Sequence, residues 1–270
     1  MIKPFLHWVG GKRQLLPEIK KYMPKQYNVY YEPFLGAGAV LFELQPKVAV
    51  VNDFNSELVN CYESIRDHLN HLLEEFNRGY FDNEKRYYEI RSWDRSDKWP
   101  TFFQSWERAA RTIYLNKTCF NGLYRLNSKG QFNVPYGKHK KLFEVEKDTL
   151  IDVSAYLDNN AITILNTDFS QVIKEANKND FVYFDPPYDP VSDTSNFTNY
   201  TADGFNKDDQ RRLYYAFKEL SNRGCYCMLS NAGTDFIKEL YRDFYIVDVQ
   251  ARRSVNCNGD SRGKVSEVLI

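Results

Sequence analysis

The chain has 270 residues, of which 43% are hydrophobic and 16% aromatic, and its 36 basic side chains equal its 36 acidic ones in number. This composition supplies a sizeable core and excludes a disordered chain. No apolar run approaches the roughly 18 residues of a membrane span, and the first residues contain no signal-peptide core. The five cysteines are scattered without CxxC spacing, so we predict neither a disulfide framework nor a zinc site. We expect a soluble, cytoplasmic protein.

The zero net charge conceals an uneven distribution of basic residues. Residues 108–141 contain eight Lys or Arg side chains and no Asp or Glu. Such segregation favours a surface that binds a polyanion. Charge alone is more typical of a solvated basic face, so the neighbouring motifs must decide between the two interpretations.

The first 60 residues predict alternating helices and strands. Periodicity indicates a helix over residues 12–22 and a strand at 29–32, then a glycine turn, a helix at 39–44 and a β-branched strand at 47–51. Residues 55–76 predict one long amphipathic helix.

Residues 78–145 break this alternation. A predicted helix at 105–117 leads to the turn signal Asn121-Gly122, and residues 124–132 predict a hairpin of two short strands around a polar turn. We interpret residues 61–145 as an inserted, mainly helical subdomain with a β-hairpin.

The alternation of strands and helices resumes after the insert. Apolar runs typical of buried strands occur at residues 161–165, 180–184, 225–229 and 245–249. Helices are predicted between them, at residues 170–176, 208–222 and 235–241. Residues 1–60 and 146–270 should therefore form one α/β domain with a doubly wound, mainly parallel sheet. Its ligand should lie at the carboxyl ends of the strands.

The first candidate site is the glycine turn at residues 34–38, which follows a predicted strand and opens a helix. Glycines in this setting let a ligand approach the backbone closely. Asp53 lies 17 residues beyond Gly36, at the end of the next strand, where a carboxylate can accept hydrogen bonds from both ribose hydroxyls of an adenosyl group. The full GxGxxG pattern is absent, which favours an adenosyl ligand without phosphates. Gly10-Gly11-Lys12 also lacks the spacing of a phosphate loop.

The second candidate site is Asp185-Pro186-Pro187-Tyr188, directly after a predicted strand. The two prolines end the strand and keep the Pro186 carbonyl out of a sheet ladder. A carboxylate, a free carbonyl and an aromatic ring together suit an amine on a planar ring, which has two N–H groups to donate and a face to stack. A proline stop after a buried strand would explain the prolines but not the combination.

Taken together, these motifs resemble those of the Dam-type adenine-N6 DNA methyltransferases, the α-ordered class that includes the DpnII-type modification enzymes. The matching segments follow the family's order and span essentially the whole chain. They are residues 4–12 (PFLHWVGGK), 32–38 (EPFLGAG), 51–55 (VNDFN), 121–125 (NGLYR), 132–137 (FNVPYG), 185–188 (DPPY) and 261–264 (SRGK). The resemblance implies a Rossmann-like methyltransferase domain with an inserted DNA-recognition subdomain.

The resemblance implies S-adenosylmethionine as the cofactor, S-adenosylhomocysteine as its product, and no metal. The implied binding residues are Trp8, Lys12, Phe34, Gly36, Gly38, Asp53 and Asp185. Asp168 and Phe169, which follow a predicted strand, would hold the adenine ring of the cofactor. Taken singly, Trp8 is more typical of a core aromatic, and Asp168 of a helix N-cap.

The resemblance also implies a DNA-reading hairpin within the basic segment. The implied DNA contacts are His7, Phe120, Asn121, Leu123, Arg125, Asn127, Pro135 and Lys138. Phe120 would stack into the duplex beside the extruded adenine, and an Arg fork suits the O6 and N7 atoms of guanine. Many family members carry Lys at the position of His7, and imidazole should make a weaker or different contact with the first base pair.

The expected reaction is methyl transfer to N6 of a flipped adenine in duplex DNA, within GATC. The catalytic residues would be Asp185, Pro186, Pro187 and Tyr188: the carboxylate and the Pro186 carbonyl hold the amine, and Tyr188 stacks on the ring. We expect a monomer that serves as the modification half of a restriction–modification system or as an orphan methylase. A cognate endonuclease would form no stable complex with it.

Several alternatives remain open at this level. An acidic-Pro-Pro-Tyr site also suits an RNA or protein-amide methyltransferase, and an inactive DNA-binding module is the alternative from another class. Residues 192–201 are either a surface loop or a lid over the substrate. Arg252, Arg253, Arg262 and Lys264 either contact phosphates or are solvated.

Overall fold

The computed structural model describes residues 2–8, 10, 12–80, 83–138, 143–190, 205–252 and 264–270, with the backbone alone at residues 13, 250–252 and 264–266. The suggested lid at residues 192–201, together with Arg253 and Arg262, lies outside the described residues. The same holds for the side chains of Arg252 and Lys264. None of the helices in the described ranges is long and apolar enough to cross a membrane.

Strands and helices alternate at both ends of the chain, as predicted. The strands are β1 (Tyr30–Glu32), β2 (Val48–Asn52), β3 (Ala161–Leu165), β4 (Phe181–Phe184), β5 (Tyr226–Ala232), β6 (Val247–Arg252) and β7 (Lys264–Leu269). The helices are α1 (Leu16–Tyr22), α2 (Ala39–Leu44), α3 (Ser56–Asp67), α4 (Leu69–Asn77), α5 (Glu84–Arg91), α6 (Ser105–Thr118), α7 (Lys147–Asn159), α8 (Phe169–Val172), α9 (Lys207–Asn222) and α10 (Asp235–Leu240).

The strands form one sheet in the order β3-β2-β1-β4-β5-β7-β6. Strands β1 to β5 pair in parallel, whereas β7 lies antiparallel between β5 and β6. The prediction of a mainly parallel sheet is therefore confirmed. The strand order reverses between β1 and β4, and ligands of open α/β sheets bind at the carboxyl ends of such a pair.

Strand β4 shows why the central strands are apolar throughout. Phe181 and Tyr183 belong to one buried cluster, and Val182 and Phe184 belong to the cluster on the other face. All four are at most 1% exposed. A parallel strand that is covered on both faces has no polar side, so its sequence is a continuous hydrophobic run.

The prediction of a single long helix over residues 55–76 is wrong. The segment forms two helices, α3 and α4, separated at His68, whose φ of −136° and ψ of 29° are not helical. Both helices pack against α6 and α7, so the apolar spacing continues across the break. Hydrophobic periodicity alone therefore does not reveal the interruption.

The hairpin predicted at residues 124–132 is less regular than expected. Its two short strands are replaced by one antiparallel bridge, between Leu126 and Phe132. The carboxamide oxygen of Asn127 accepts hydrogen bonds from the backbone N–H groups of Lys129 and Gln131, both at 3.0 Å. A side chain thus satisfies turn amides, and no longer ladder forms.

The chain between β2 and β3 contains the helices α3 to α7. The boundary proposed between residues 60 and 61 falls within α3, and the one between residues 145 and 146 lies just before α7. The sequence pattern indicated α6 but not α5 or α7.

Candidate active site

The glycine turn connects β1 to α2 with two residues in the left-handed region. The φ of Gly36 is +52° and that of Gly38 is +69°. A Cβ at Gly38 would lie 2.8 Å from the Tyr62 hydroxyl, and one at Gly36 would lie 3.1 Å from Cδ1 of Trp8. Both backbone shape and space therefore require glycine, and Trp8 packs directly on the turn.

Asp53 follows β2 and is joined to the glycine turn. One carboxylate oxygen accepts the Gly36 N–H at 2.9 Å, and the other accepts the Asn55 N–H at 2.9 Å. Burial raises the pKa of Asp53 above its usual range, and these two N–H groups oppose the rise. A carboxylate has about four acceptor positions, so Asp53 retains the capacity to bind hydroxyls of a ligand.

Asn52 joins the carboxyl ends of three strands and was not identified from the sequence as a site residue. Its amide nitrogen donates to the carbonyls of Pro33 and Thr167, at 2.9 and 3.1 Å. Its oxygen accepts the Thr167 N–H at 2.9 Å. The side chain is 1% exposed. Its position beside Asp53 in the 51–55 motif was the available signal.

Asp185 follows β4 and forms an ion pair with Lys12. Nζ of Lys12 lies 2.8 Å from Oδ1 of Asp185, and the hydroxyl of Ser230 donates to the same oxygen at 3.0 Å. Burial by itself would lower the pKa of Lys12, but Asp185, Tyr183 and Glu267 together outweigh burial and raise it. Lys12 Nζ also donates to the Gly10 carbonyl at 2.7 Å and lies 4.5 Å from the centre of the Tyr188 ring.

Both sequence motifs border a single pocket. Its lining includes Trp8, Lys12, Glu32, Gly36 and Asp185. The lining thus contains two carboxyl side chains and one ammonium, and a third carboxyl group, that of Asp53, accepts a hydrogen bond from the glycine turn without being part of the lining. Gly36, which borders the pocket, has no Cβ, so a ligand such as S-adenosylmethionine can approach the backbone of the turn closely.

Asp168 and Phe169 are placed differently from the residues of that pocket. Asp168 caps α8 by accepting the Ser170 N–H at 3.0 Å, and it forms an ion pair with Arg212 at 2.9 Å. Phe169 is 4% exposed, and its ring packs against Phe34 with centroids 5.4 Å apart. The lining of the pocket includes neither residue. A contact with the cofactor's adenine stays a prediction for both.

The residues predicted to contact DNA face solvent around the end of α6. Phe120 is 47% exposed, and its backbone N–H donates to the Pro135 carbonyl at 2.9 Å. His7, Asn121, Arg125, Pro135 and Lys138 are also exposed, while Leu123 and Asn127 are half-buried. Nε of Arg125 donates to the Asn133 side chain at 2.7 Å. Their contacts with DNA stay predictions.

Asn116, within α6, connects the N-terminal segment to this region and was not identified from the sequence. Its oxygen accepts the His7 N–H at 2.8 Å, and its nitrogen donates to the carbonyls of His7 and Gly122, at 2.7 and 3.2 Å. The ring of Trp8 packs 5.2 Å from that of Tyr124. The segment that lines the pocket therefore also contacts the hairpin.

The basic segment is less charged in the fold than in the sequence. Arg108 pairs with Glu57, Arg111 with Asp94 at 2.7 Å, and Lys117 with Glu146 at 2.8 Å. All three acids lie outside residues 108–141. The counted excess of eight positive charges therefore overstates the field at the surface.

Comparisons with known proteins agree with the motifs and the fold. A family model described as D12 class N6 adenine-specific DNA methyltransferase matches residues 8–255. The type II methyltransferase M1.LlaDCHI of Lactococcus lactis subsp. cremoris is 48% identical over 100% of this chain and 95% of its own length. The type II methyltransferase M.MjaIII of Methanocaldococcus jannaschii is 43% identical over 100% of this chain and 98% of its own. The DNA adenine methylase of Vibrio cholerae serotype O1 is 33% identical over 99% of this chain and 95% of its own length. The chain belongs to the D12 class N6 adenine-specific DNA methyltransferases.

Proposed function

We propose that the chain transfers the methyl group of S-adenosylmethionine to N6 of a flipped-out adenine in duplex DNA, within GATC. The observation that carries this proposal is the shared pocket, which the glycine turn borders at Gly36 and the Asp-Pro-Pro-Tyr segment borders at Asp185. A methyl donor and an acceptor amine bound at these two motifs would be neighbours. Such positioning converts a bimolecular step into an effectively unimolecular one.

The acceptor amine needs help because its lone pair is conjugated with the adenine ring. When bound, S-adenosylmethionine supplies an electrophilic methyl group on a sulfonium. Asp185 and the Pro186 carbonyl accept hydrogen bonds from the amine and stabilise positive charge as it develops on nitrogen. The new N–C bond forms as the C–S bond breaks, the bonding electrons stay with sulfur, and the extra N6 proton leaves to water.

Lys12 has a defined task in this reaction. Its ammonium, 2.8 Å from Oδ1 of Asp185, favours the ionised form of that carboxyl group. Oδ2 remains available to accept an amine hydrogen. The ring of Tyr188, whose hydroxyl donates to Glu267 at 3.0 Å, is held for stacking on the flipped base. Trp8, Asp53 and the 34–38 turn hold the cofactor, and Asp168 and Phe169 hold its adenine.

The DNA contacts would come from the exposed residues around Phe120. An aromatic side chain that is 47% exposed can enter the space left by an extruded base. Arg125 would read guanine, and Lys138 would contact phosphate. We assign residues 61–145 to target recognition and residues 1–60 and 146–270 to catalysis. Because His7 stands where many family members have Lys, the first base pair should be read less strictly.

Two biological roles are compatible with this chemistry. The names of the relatives include both type II methyltransferases and a DNA adenine methylase. We propose a monomer that either modifies DNA against a cognate endonuclease, without a stable complex, or works as an orphan methylase. The described residues contain no cluster of three or more His, Cys, Asp or Glu side chains placed to share a metal ion, and the scheme requires none.

The test is transfer of labelled methyl to paired duplexes that contain GATC or a scrambled site, with wild type and Asp185→Ala. We expect label on adenine N6 of the GATC duplex, and its loss in the variant. Label on both duplexes would contradict the assigned specificity. Cofactor binding without label on either duplex would overturn the DNA substrate and direct attention to RNA or protein amides.

A further inference from the structure

The segment that leaves β4 is held by a buried network of side-chain amides. Nε2 of Gln210, on α9, donates to the Pro187 carbonyl at 2.9 Å. Oδ1 of Asn231, on β5, accepts the Asp189 N–H at 3.0 Å. The two amides also bond to each other, because Nδ2 of Asn231 donates to Oε1 of Gln210 at 3.1 Å.

The polar residues of this network are deeply buried. Gln210 is 1% exposed, Asn231 0% and Asp189 6%. The Asp189 carboxylate accepts a hydrogen bond from the Thr234 hydroxyl at 2.7 Å, and Oδ1 of Asn231 also accepts the Ala232 N–H at 2.8 Å. Burying polar groups costs free energy unless they are paired, and a fully paired network fixes a single backbone arrangement.

The network engages the backbone on both sides of Tyr188. The Pro187 carbonyl belongs to the peptide unit before Tyr188, and the Asp189 N–H belongs to the one after it. Fixing both peptide planes sets the direction in which the Tyr188 side chain leaves the chain. It also restricts the orientation of the Pro186 carbonyl, one peptide unit earlier, because the ring of Pro187 fixes the φ angle between the two units.

We propose that Gln210 and Asn231 are positioning residues for methyl transfer, which hold the Pro186 carbonyl and the Tyr188 ring at the target amine. This inference rests on the proposed function. Neither amide lines the pocket, so both act through the 185–189 segment. A displacement of about 1 Å at reacting groups costs up to about 100-fold in rate, so loosening this segment should affect the chemical step more than binding.

The test removes the hydrogen bond from residue 210 to the Pro187 carbonyl with a side chain of nearly the same shape. Gln210→Glu retains the oxygen that accepts from Asn231 but places an oxygen, not an N–H, toward the Pro187 carbonyl. Asn60→Asp is the matched control, because the Asn60 side chain is 8% exposed and its amide donates to the Ser105 carbonyl at 2.9 Å, between α3 and α6. Gln210→Met, which introduces no charge, is the second variant in case the acid impairs folding.

Single-turnover rates, KM for DNA, cofactor affinity and Tm are measured for all variants on the GATC duplex. For Gln210→Glu and Gln210→Met we expect single-turnover rates lower by about tenfold or more, with KM and cofactor affinity within about twofold of wild type. Asn60→Asp should lose a comparable amount of Tm and keep its rate. In a Tyr188→Ala background, Gln210→Glu should cost distinctly less than in wild type.

Three results would overturn the inference. The first is an unchanged single-turnover rate in both Gln210 variants. The second is a rate in Asn60→Asp that falls as much as in the Gln210 variants for a comparable loss of Tm. The third is full additivity with Tyr188→Ala. Failure of the wild-type protein to methylate the duplex would instead overturn the proposed function, and this inference with it.

Discussion

At the scale of single residues, the acidic groups around the pocket differ in their environments. Glu32, at the end of β1, is 2% exposed, and its carboxyl group accepts a hydrogen bond from the Tyr30 hydroxyl at 2.9 Å. Burial raises the pKa of Glu32 well above its usual range, although the bond from Tyr30 opposes the rise. Asp53, by contrast, receives backbone N–H groups on both oxygens. The surroundings of Glu32, which lines the pocket, therefore favour its protonated form.

Glu32→Gln should remove a pH dependence of folding stability. A raised folded pKa means that Glu32 contributes stability that is complete below the unfolded pKa of about 4.3. This contribution is lost as the pH rises through the folded value. Between the unfolded and the folded pKa of Glu32, the free energy of unfolding of the wild type should fall by up to about 1.4 kcal/mol per pH unit more than that of the variant. Urea unfolding at several pH values measures it, with Glu63→Gln, on the exposed face of α3, as the control. Parallel pH curves for wild type and Glu32→Gln would contradict the assignment.

At the scale of elements, the end of α6 connects the N-terminal segment, which lines the pocket, to the exposed residues around Phe120. Asn116 bonds to both His7 and Gly122, and these two residues are in close contact. The φ of Gly122 is +61°, and a Cβ there would lie 2.6 Å from Cβ of His7. The N-terminal segment can therefore approach the hairpin because residue 122 has no side chain.

Gly122→Ala should impair DNA methylation more than its backbone strain explains. Gly130 is a matched control, since its φ is +73° but a Cβ there would meet nothing within 4 Å. Both alanines carry a left-handed strain of about 1–2 kcal/mol, and only Gly122→Ala adds overpacking, of about 1–3 kcal/mol. Unfolding free energy and KM for DNA measure the two effects. Equal losses of stability and equal KM values in the two variants would show that the His7 contact is unimportant.

At the scale of the whole molecule, the parallel sheet could be predicted because its buried strands are continuous apolar runs. The glycine turn and the Asp-Pro-Pro-Tyr segment could be placed at its carboxyl edge for the same reason. Contacts between residues far apart in the sequence could not be predicted in this way. The break at His68 keeps the apolar spacing, and the antiparallel β7 is defined by its partners β5 and β6. Asn116 and Gln210 are polar residues on helices. The spacing of apolar residues does not show whether such a side chain forms a buried hydrogen bond or faces solvent.

The same limitation applies to charge, and it has a measurable consequence. Within the described ranges Lys129 and Lys138 are exposed and have no acidic partner, whereas Lys117 is paired with Glu146. Each Lys that contacts a phosphate contributes about −0.9 to the slope of log K against log salt concentration. Lys129→Gln and Lys138→Gln should each make the slope for duplex DNA shallower by about 1, whereas Lys117→Gln should leave it unchanged. Fluorescence anisotropy between about 50 and 200 mM salt measures these slopes. If all three variants made the slope shallower by the same amount, the ion pair of Lys117 with Glu146 would open on binding, and all the basic side chains of the segment would contribute their charge.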